Sequence, residues 1–183
     1  LIDLRNHLDH IWLPSFYFDT GIADNTKPSN ISYGWDHFLL PKKEKTTSWE
    51  PGNNLLVLSG GSDVLNLGSW LPSLIDTTLN SEIIVNWIQG PYSDPPILPE
   101  KPKLEWKVHK NPTNLQKLIS SSNYVLTLFG VSFFESIQYG IPTVVTPLKN
   151  LENYSELQLI KKKEIALVAD QMEDSLSLLK KLT

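Results

Sequence analysis

The chain lacks cysteine and is poor in arginine and methionine. Its 183 residues include no Cys, which excludes disulfides, thiolate zinc sites and cysteine nucleophiles and is typical of a reducing, cytoplasmic compartment. Arg5 is the only arginine, against fifteen lysines, so a bidentate arginine clamp on phosphate or carboxylate is nearly excluded. A bound phosphate would therefore depend on lysines, hydroxyl groups and backbone N–H groups.

Excess positive charge and long apolar runs are missing as well. The net charge is −4 and the pI about 5.5, which argues against a nucleic-acid partner because such a surface needs a basic excess. No apolar run approaches the roughly 20 residues of a membrane helix, and residues 1–5 mix polar and apolar types, so we expect no signal peptide. Because Met172 is the only methionine, we expect the chain to be part of a longer protein.

The first 54 residues differ in pattern from the rest of the chain. Residues 1–54 hold short apolar patches between polar stretches, and we interpret them as an irregular leader or linker that follows a missing N-terminal domain. Residues 55–183 hold continuous apolar runs that alternate with stretches of helical spacing. That alternation predicts an α/β domain, a Rossmann-like open parallel sheet with helices on both faces.

The predicted elements follow from these patterns and from the residues that end them. Asn111 and Pro112 are typical of an N-cap and a first helical turn, Pro72 argues against one unbroken helix around it, and Gly140 is expected as a left-handed C-cap. The predicted strands are 55–58, 83–88, 104–109, 124–129, 143–146 and 165–168. The predicted helical stretches are 65–79, 111–121, 132–139, 153–163 and 172–182.

The first segment that could carry chemistry is a glycine turn. The predicted strand 55–58 leads into Ser59, Gly60, Gly61 and Ser62, and a helical stretch follows. Glycines let the backbone approach an anion closely, and the N–H groups of a following helix attract it. The glycine spacing matches neither a Walker loop nor a dinucleotide fingerprint. The segment therefore has two interpretations, an anion-binding turn or a tight strand-to-helix connection.

The second segment places a hydroxyl and a carboxylate at a helix start. After the strand 124–129 come Gly130 and Val131, then Ser132 and, one turn later, Glu135. Residues three apart share a helix face, so both side chains are expected at the carboxyl ends of the strands, where open α/β sheets bind ligands. The alternative is a capping box, in which Ser132 is the N-cap and Glu135 occupies position N3.

This second segment also resembles a known family. Residues 130–142 follow the pattern Gly-x-Ser-x-x-Glu-x-x-x-x-Gly-x-Pro, which resembles the carboxyl-terminal domain of family 28-type glycosyltransferases, proteins of the two-domain GT-B fold. Residues 60–63, Gly-Gly-Ser-Asp, and the phrase at residues 33–40 are closer to the UDP-sugar hydrolase of pseudaminic acid biosynthesis and to spore-coat polysaccharide proteins. The resemblance covers roughly residues 30–183.

The resemblance implies a role for particular residues in binding a UDP-sugar. Glu135 would accept hydrogen bonds from the ribose hydroxyls, and Val108 with His109 would lie at the uracil edge. The remaining residues would lie at the diphosphate or the sugar: Gly60, Gly61, Ser62, Gly130, Val131 and Ser132. No metal and no further cofactor is implied. Two departures from the family pattern are the large side chains of Phe129 and Tyr139.

The function expected from the resemblance is the nucleotide-sugar-binding half of an enzyme of cell-surface glycan synthesis. The enzyme would be a glycosyltransferase or a UDP-sugar hydrolase, in which helix dipoles rather than a metal stabilise the departing diphosphate. Its partners would be the UDP-sugar and the missing N-terminal domain, and the parent protein could associate peripherally with a membrane. His7, His10, His37 and His109 are better interpreted as structural than as catalytic. The alternative function is a non-enzymatic nucleotide-binding or protein-interaction domain.

Overall fold

The structure is a computed structural model that describes residues 11–14, 31–35, 39–42, 48–146 and 154–183. The chain forms two compact units, Leu1–Pro41 and Lys42–Thr183. In the first unit, strands β1 (Ile11–Pro14) and β2 (Ile31–Gly34) form a two-stranded parallel sheet. Residues 1–54, which the sequence pattern presents as an irregular leader, therefore contain a sheet that the pattern did not predict.

In the second unit, residues just before the large sheet are hydrogen-bonded to it. The indole Nε1 of Trp49 donates a hydrogen bond of 2.8 Å to the Asn123 carbonyl, and the Asn123 side chain donates to the Glu50 carbonyl at 3.0 Å. The same side chain accepts the Asn54 N–H at 3.0 Å. Residues 48–54 thus continue into the first strand of the large sheet.

The second unit alternates strands and helices. Its strands are β3 (Asn54–Leu58), β4 (Ile84–Gln89), β5 (Glu105–Lys110), β6 (Tyr124–Leu128), β7 (Thr143–Thr146) and β8 (Leu167–Val168). Its α-helices are α1 (Leu71–Thr78), α2 (Leu115–Ser120), α3 (Val131–Gln138), α4 (Tyr154–Lys162) and α5 (Met172–Leu182). Among the described residues, no helix is both long enough and apolar enough to cross a membrane.

The six strands form one parallel sheet in the order β5-β4-β3-β6-β7-β8. The chain moves outward from β3 to β5, then returns to add β6 on the other side of β3. This reversal makes β3 and β6 neighbours at a topological switch point, where the connections leave in opposite directions and open a crevice at the carboxyl ends of the strands. The loops after β3 and β6 are the two segments that the sequence analysis selected.

Alternating side chains of the buried strands divide the core between the two sheet faces. Leu55 and Val57 of β3 belong to a cluster with α1 and α5, whereas Leu56 and Leu58 belong to a cluster with α2 and the end of α3. Every residue of β6 and β7 is buried, because a parallel strand covered by helices on both faces has no polar side. The α/β fold predicted from the sequence, with helices on both faces, is therefore confirmed.

Two helix starts can be compared with the sequence prediction, and the outcomes differ. The break expected at Pro72 is confirmed, since α1 begins at Leu71 and the proline occupies the first turn, where its missing N–H has no helical partner to lose. The N-cap predicted at Asn111 is wrong, because α2 begins at Leu115 and Asn111 has φ +40°. Its N–H donates to the Gln89 carbonyl at 2.8 Å. This hydrogen bond continues the β4–β5 pairing, so the helix begins only at Leu115.

A buried carboxylate joins α1 to the start of β5. Asp76 is buried, and its oxygens accept hydrogen bonds from the N–H groups of Lys103 at 2.9 Å and Leu104 at 3.0 Å and from the Trp106 indole at 3.0 Å. Burial alone would raise the pKa of Asp76, but these hydrogen bonds and the nearby Lys103 ammonium together hold that pKa below its usual value. Asp76 is thus ionised and fully engaged in holding the loop before β5.

Candidate functional site

A cavity of about 240 Å³ lies at the switch point, over the carboxyl ends of β3 and β4. Its walls come from the glycine turn after β3, from the loop after β4, from the start of α2 and from the first turn of α3. Its lining residues are Leu58, Ser59, Gly60, Gly61, Ile88, Gln89, Gly90, Pro91, Asn111, Pro112, Leu115 and Ser132. The two sequence segments of interest therefore meet at one cavity, through Gly60, Gly61 and Ser132.

The turn after β3 and the loop after β4 each need one glycine, for separate reasons. Gly60 has φ +91°, in the left-handed region that L side chains rarely adopt. Gly90, in the loop after β4, lies so close to the turn that a Cβ there would clash with the carbonyl oxygens of Gly60 and Gly61. The Gly61 carbonyl also accepts the Tyr92 N–H at 3.0 Å. The turn is thus held in place by the loop after β4. The N–H groups of Gly60 and Gly61 have no hydrogen-bond partner among the described residues.

The polar residues that follow the turn serve the local fold and a neighbouring depression. Asp63 accepts hydrogen bonds from the N–H groups of Leu67 at 2.8 Å and Gly68 at 2.7 Å, so its carboxylate holds the first N–H groups of the short 3₁₀ helix Leu67–Ser69. Ser62 lines a separate depression of about 170 Å³ together with Asp63 and Tyr92. Ser62, predicted at the phosphates or sugar, therefore lies beside the cavity and does not line it.

Helix α3 presents free N–H groups on the other side of the switch point. Gly130 is the N-cap, its backbone is extended at φ 172°, and its carbonyl accepts the Phe133 N–H at 3.1 Å. The N–H groups of Val131 and Ser132 and the Ser132 hydroxyl donate no hydrogen bond within the described part of the chain. Unsatisfied N–H groups at a helix start carry partial positive charge and attract anions.

The same helix start rules out the capping box. Because Gly130 is the N-cap, Ser132 occupies position N2 and Glu135 position N5, and no side chain caps this helix. A capping box needs the serine at the N-cap and the glutamate at N3. The hydroxyl and carboxylate are therefore not engaged with each other's backbone groups, and the structural alternative for these two residues is wrong.

Glu135 is a half-buried carboxylate without a partner. Burial raises the pKa of Glu135 above its usual value, because the ionised form loses solvation there. No hydrogen bond or ion pair of its side chain exists among the described residues. Glu135 lies one turn beyond Ser132 on the same face of α3 but is not part of the wall of the 240 Å³ cavity. An unpaired, partly desolvated carboxylate near a cavity is a feature typical of functional sites.

Val108 and His109, expected at a uracil edge, lie on the edge strand β5 and do not line the cavity. Val108 is exposed, and the His109 ring nitrogen Nε2 lies 2.9 Å from the Asn86 amide oxygen on β4. The next residues along the chain, Asn111 and Pro112, do line the cavity. The chain thus reaches the cavity two residues after His109, just beyond the end of β5.

Some residues that line the cavity were not predicted as site residues from the sequence. Gln89 is buried, and its amide donates to the Ser93 carbonyl at 2.9 Å. Ser59 is 1% exposed, and its hydroxyl is buried without a hydrogen-bond partner in the described structure, which is uncommon for a buried polar group. A polar residue directly after an apolar strand run was the available signal for both positions.

The two large residues that depart from the family pattern pack into the core. Tyr139 is buried against Leu56 and Ile141, and Phe129 forms a ring cluster with Phe133 and Phe134 at centroid distances of 5.2–5.8 Å. Neither lines the cavity. Within the ranges that the structure describes, no cluster of His, Asp or Glu could hold a metal ion. His7, His10 and His37 lie outside the described residues.

Comparisons with known proteins give a fold but no sequence family. No protein-family model and no curated protein matches the chain. The solved structure of the spinosyn forosaminyltransferase SpnP matches 84% of this chain and 41% of its own, with TM-score 0.57 and 14% identity. A glycotransferase of kitacinnamycin matches 81% of this chain and 41% of its own, with TM-score 0.57 and 17% identity. The chain thus spans about two fifths of these glycosyltransferases and shares the fold of one part of them.

Proposed function

We propose that this domain binds a nucleotide sugar, specifically a UDP-sugar, at the switch point between β3 and β6. The observation that carries the proposal is that two sets of unpartnered backbone N–H groups border one crevice, those of Gly60 and Gly61 and those at the start of α3. Such groups bind phosphate without arginine, which suits a chain with a single Arg. The likeness in fold to glycosyltransferases supports the same ligand class.

In this proposal the diphosphate lies between the glycine turn and α3. The N–H groups of Val131 and Ser132 and the Ser132 hydroxyl donate to one phosphate, and the N–H groups of Gly60 and Gly61 donate to the other. Gly130 has open space at its Cβ position, so its backbone can approach the ligand closely. Ser62 would contact the sugar or outer phosphate from the neighbouring depression.

The nucleoside part of the ligand would extend along α3 and the end of β5. Glu135 would accept hydrogen bonds from both ribose hydroxyls, which is the pairing that a vicinal diol offers to a carboxylate. The uracil would lie near the segment that includes Val108 and His109 and continues into the cavity wall at Asn111. This arrangement assigns the diphosphate, the ribose and the uracil of UDP each to a different segment of the described chain.

The proposed reaction cleaves the bond between the anomeric carbon and UDP. The electron pair of that bond stays with the UDP oxygen, and the helix start at α3 stabilises the charge that develops there. If the hydroxyl of an acceptor sugar attacks the anomeric carbon, the protein is a family 28-type glycosyltransferase of cell-surface glycan synthesis. If water attacks instead, it is a UDP-sugar hydrolase. In either case the catalytic base would come from outside the part of the chain that the structure describes.

Calorimetry with UDP, ADP and NAD, with and without EDTA, tests the ligand class. We expect UDP to bind more tightly than ADP or NAD, with an affinity that EDTA leaves unchanged, because backbone N–H groups rather than a metal hold the phosphates. Equal or tighter binding of ADP or NAD would contradict the proposal. Binding of UDP without turnover of UDP-sugars, measured in the parent protein, would instead favour the non-enzymatic alternative.

A further inference from the structure

A second groove lies at the opposite edge of the sheet, beside strand β8, and has no role in the proposed function. Its volume is about 640 Å³, and it is bounded by the outer edge of β8, by the end of α4 and by one face of α5. The α5 face consists of Asp174, Ser177, Leu178, Lys181 and Leu182. These residues follow the spacing of a single helical stripe, and the buried residues of α5 lie on another face.

The β8 edge offers unpaired backbone groups to this groove. Val145 pairs with Val168 in the parallel ladder, and the Ala169 N–H donates to the Val145 carbonyl at 3.0 Å. In a parallel ladder, alternate residues bond to the same neighbour, so Leu167 and Ala169 face β7 while Ala166 and Val168 face outward. β8 has only two residues, so its open edge forms a short polar part of the groove wall rather than a long template for strand pairing.

The charges on the α5 stripe show what would fit there. Asp174 lies at the amino-terminal end of the stripe and Lys181 at its carboxyl-terminal end, and both are exposed. If a second α5 lies antiparallel across a two-fold axis centred between Ser177 and Leu178, each Asp174 faces the Lys181 of the other copy. The small Ser177 then faces Leu178 at the crossing. A stripe that complements itself in this way meets the requirement of an isologous, two-fold interface.

We propose that this groove is a homodimer interface, occupied by α5 of a second copy of this chain. Leu178 and Leu182 are half-buried against the core of their own chain, and their exposed parts supply the apolar contact. The two Asp174–Lys181 pairs set the antiparallel orientation. The interface lies at the β8 edge, two strands away from β6 and the switch-point cavity, so its existence does not depend on the ligand proposed there.

Sedimentation equilibrium of the 183-residue chain over a concentration series tests this interface. We expect a dimer, and we expect Lys181→Glu to raise its dissociation constant by about 100-fold, because two attractive pairs become two like-charge contacts. The matched control is Lys180→Glu, which makes the same charge change at an exposed position outside the groove and should leave dimerisation nearly unchanged. A monomer at all concentrations, or a dimer that Lys181→Glu leaves intact, would overturn the proposal.

A charge-swap experiment makes the test specific to this pairing. Asp174→Lys and Lys181→Glu should each be monomeric alone, and an equimolar mixture should form a heterodimer with two restored pairs. Asp174 also accepts the Gln171 N–H at 3.1 Å as part of the α5 capping box, so the fold of Asp174→Lys is checked by circular dichroism. If that variant does not fold, Ser177→Arg replaces it, since a large side chain at the exposed crossing point should block association and leave the monomer folded. A folded Ser177→Arg dimer would contradict the proposed crossing.

Discussion

Replacing Asp76 with alanine should lower the free energy of unfolding at neutral pH by about 2–4 kcal/mol, because three buried or half-buried N–H donors lose their acceptor at once. These donors are the N–H groups of Lys103 and Leu104 and the Trp106 indole. Urea denaturation measures the change. Alanine at the exposed Asp94, which has no hydrogen-bond partner among the described residues, is the matched control and should change the stability by less than about 0.5 kcal/mol.

The contribution of Asp76 should also depend on pH in a defined direction. The pKa of Asp76 is lowered in the folded protein, so the unfolded chain takes up the proton first as the pH falls. The stabilisation is therefore complete above the unfolded pKa of about 3.9 and is lost as the pH falls through the lower folded pKa. The stability difference between wild type and Asp76→Asn should shrink below about pH 4. A difference that stays constant down to pH 2 would show that the charge of Asp76 does not contribute.

Replacing Glu135 with glutamine should lower the affinity for UDP roughly 10- to 150-fold, because a neutral amide loses a charge-assisted contact worth about 1.5–3 kcal/mol. The melting temperature should change little, since the Glu135 carboxylate is half-buried, unpaired in the described structure and not part of a helix cap. Because the pKa of Glu135 is raised by burial, UDP affinity should begin to fall on acidification at a higher pH than an exposed glutamate would give. Glutamine at the exposed Glu100 is the matched control and should leave the affinity unchanged.

The ligand 2′,3′-dideoxy-UDP separates a ribose contact from a general charge effect. Wild type should bind it poorly because it lacks the diol, and Glu135→Gln should discriminate much less between it and UDP. Equal binding of both ligands by wild type would mean that Glu135 does not contact the ribose. That result would not bear on the proposed phosphate contacts of Gly60, Gly61 and the start of α3, which are tested separately.

The strands of the large sheet could be predicted because a strand that is buried on both faces consists mostly of apolar residues. The residues of β6 and β7 are all buried, and all of them are apolar except Thr127, Thr143 and Thr146, as expected for strands covered on both faces. No local sequence pattern predicted β1 and β2, since each strand has four residues and its partner lies about twenty residues away. Pairing between short distant segments depends on tertiary contacts, which local patterns do not record.

Helix starts and cavity walls show the same limit. The spacing of Ser132 and Glu135 satisfies the rule for a capping box, yet α3 begins two residues before such a box allows. Gly60 and Gly130 could be selected because strand ends followed by glycine are local signals. Gly90 could not, because it reaches the cavity only through the pairing of β4 with β3.

An amide NMR titration of the chain with UDP tests the central claim most directly, that the switch point between β3 and β6 binds the diphosphate of a nucleotide. We expect the largest shifts at the backbone N–H groups of Gly60, Gly61, Val131 and Ser132, the groups that lack partners in the described structure. The residues of the β8 groove serve as the internal reference and should not shift. Saturable shifts confined to residues away from this cavity, or no shifts at all, would contradict the claim.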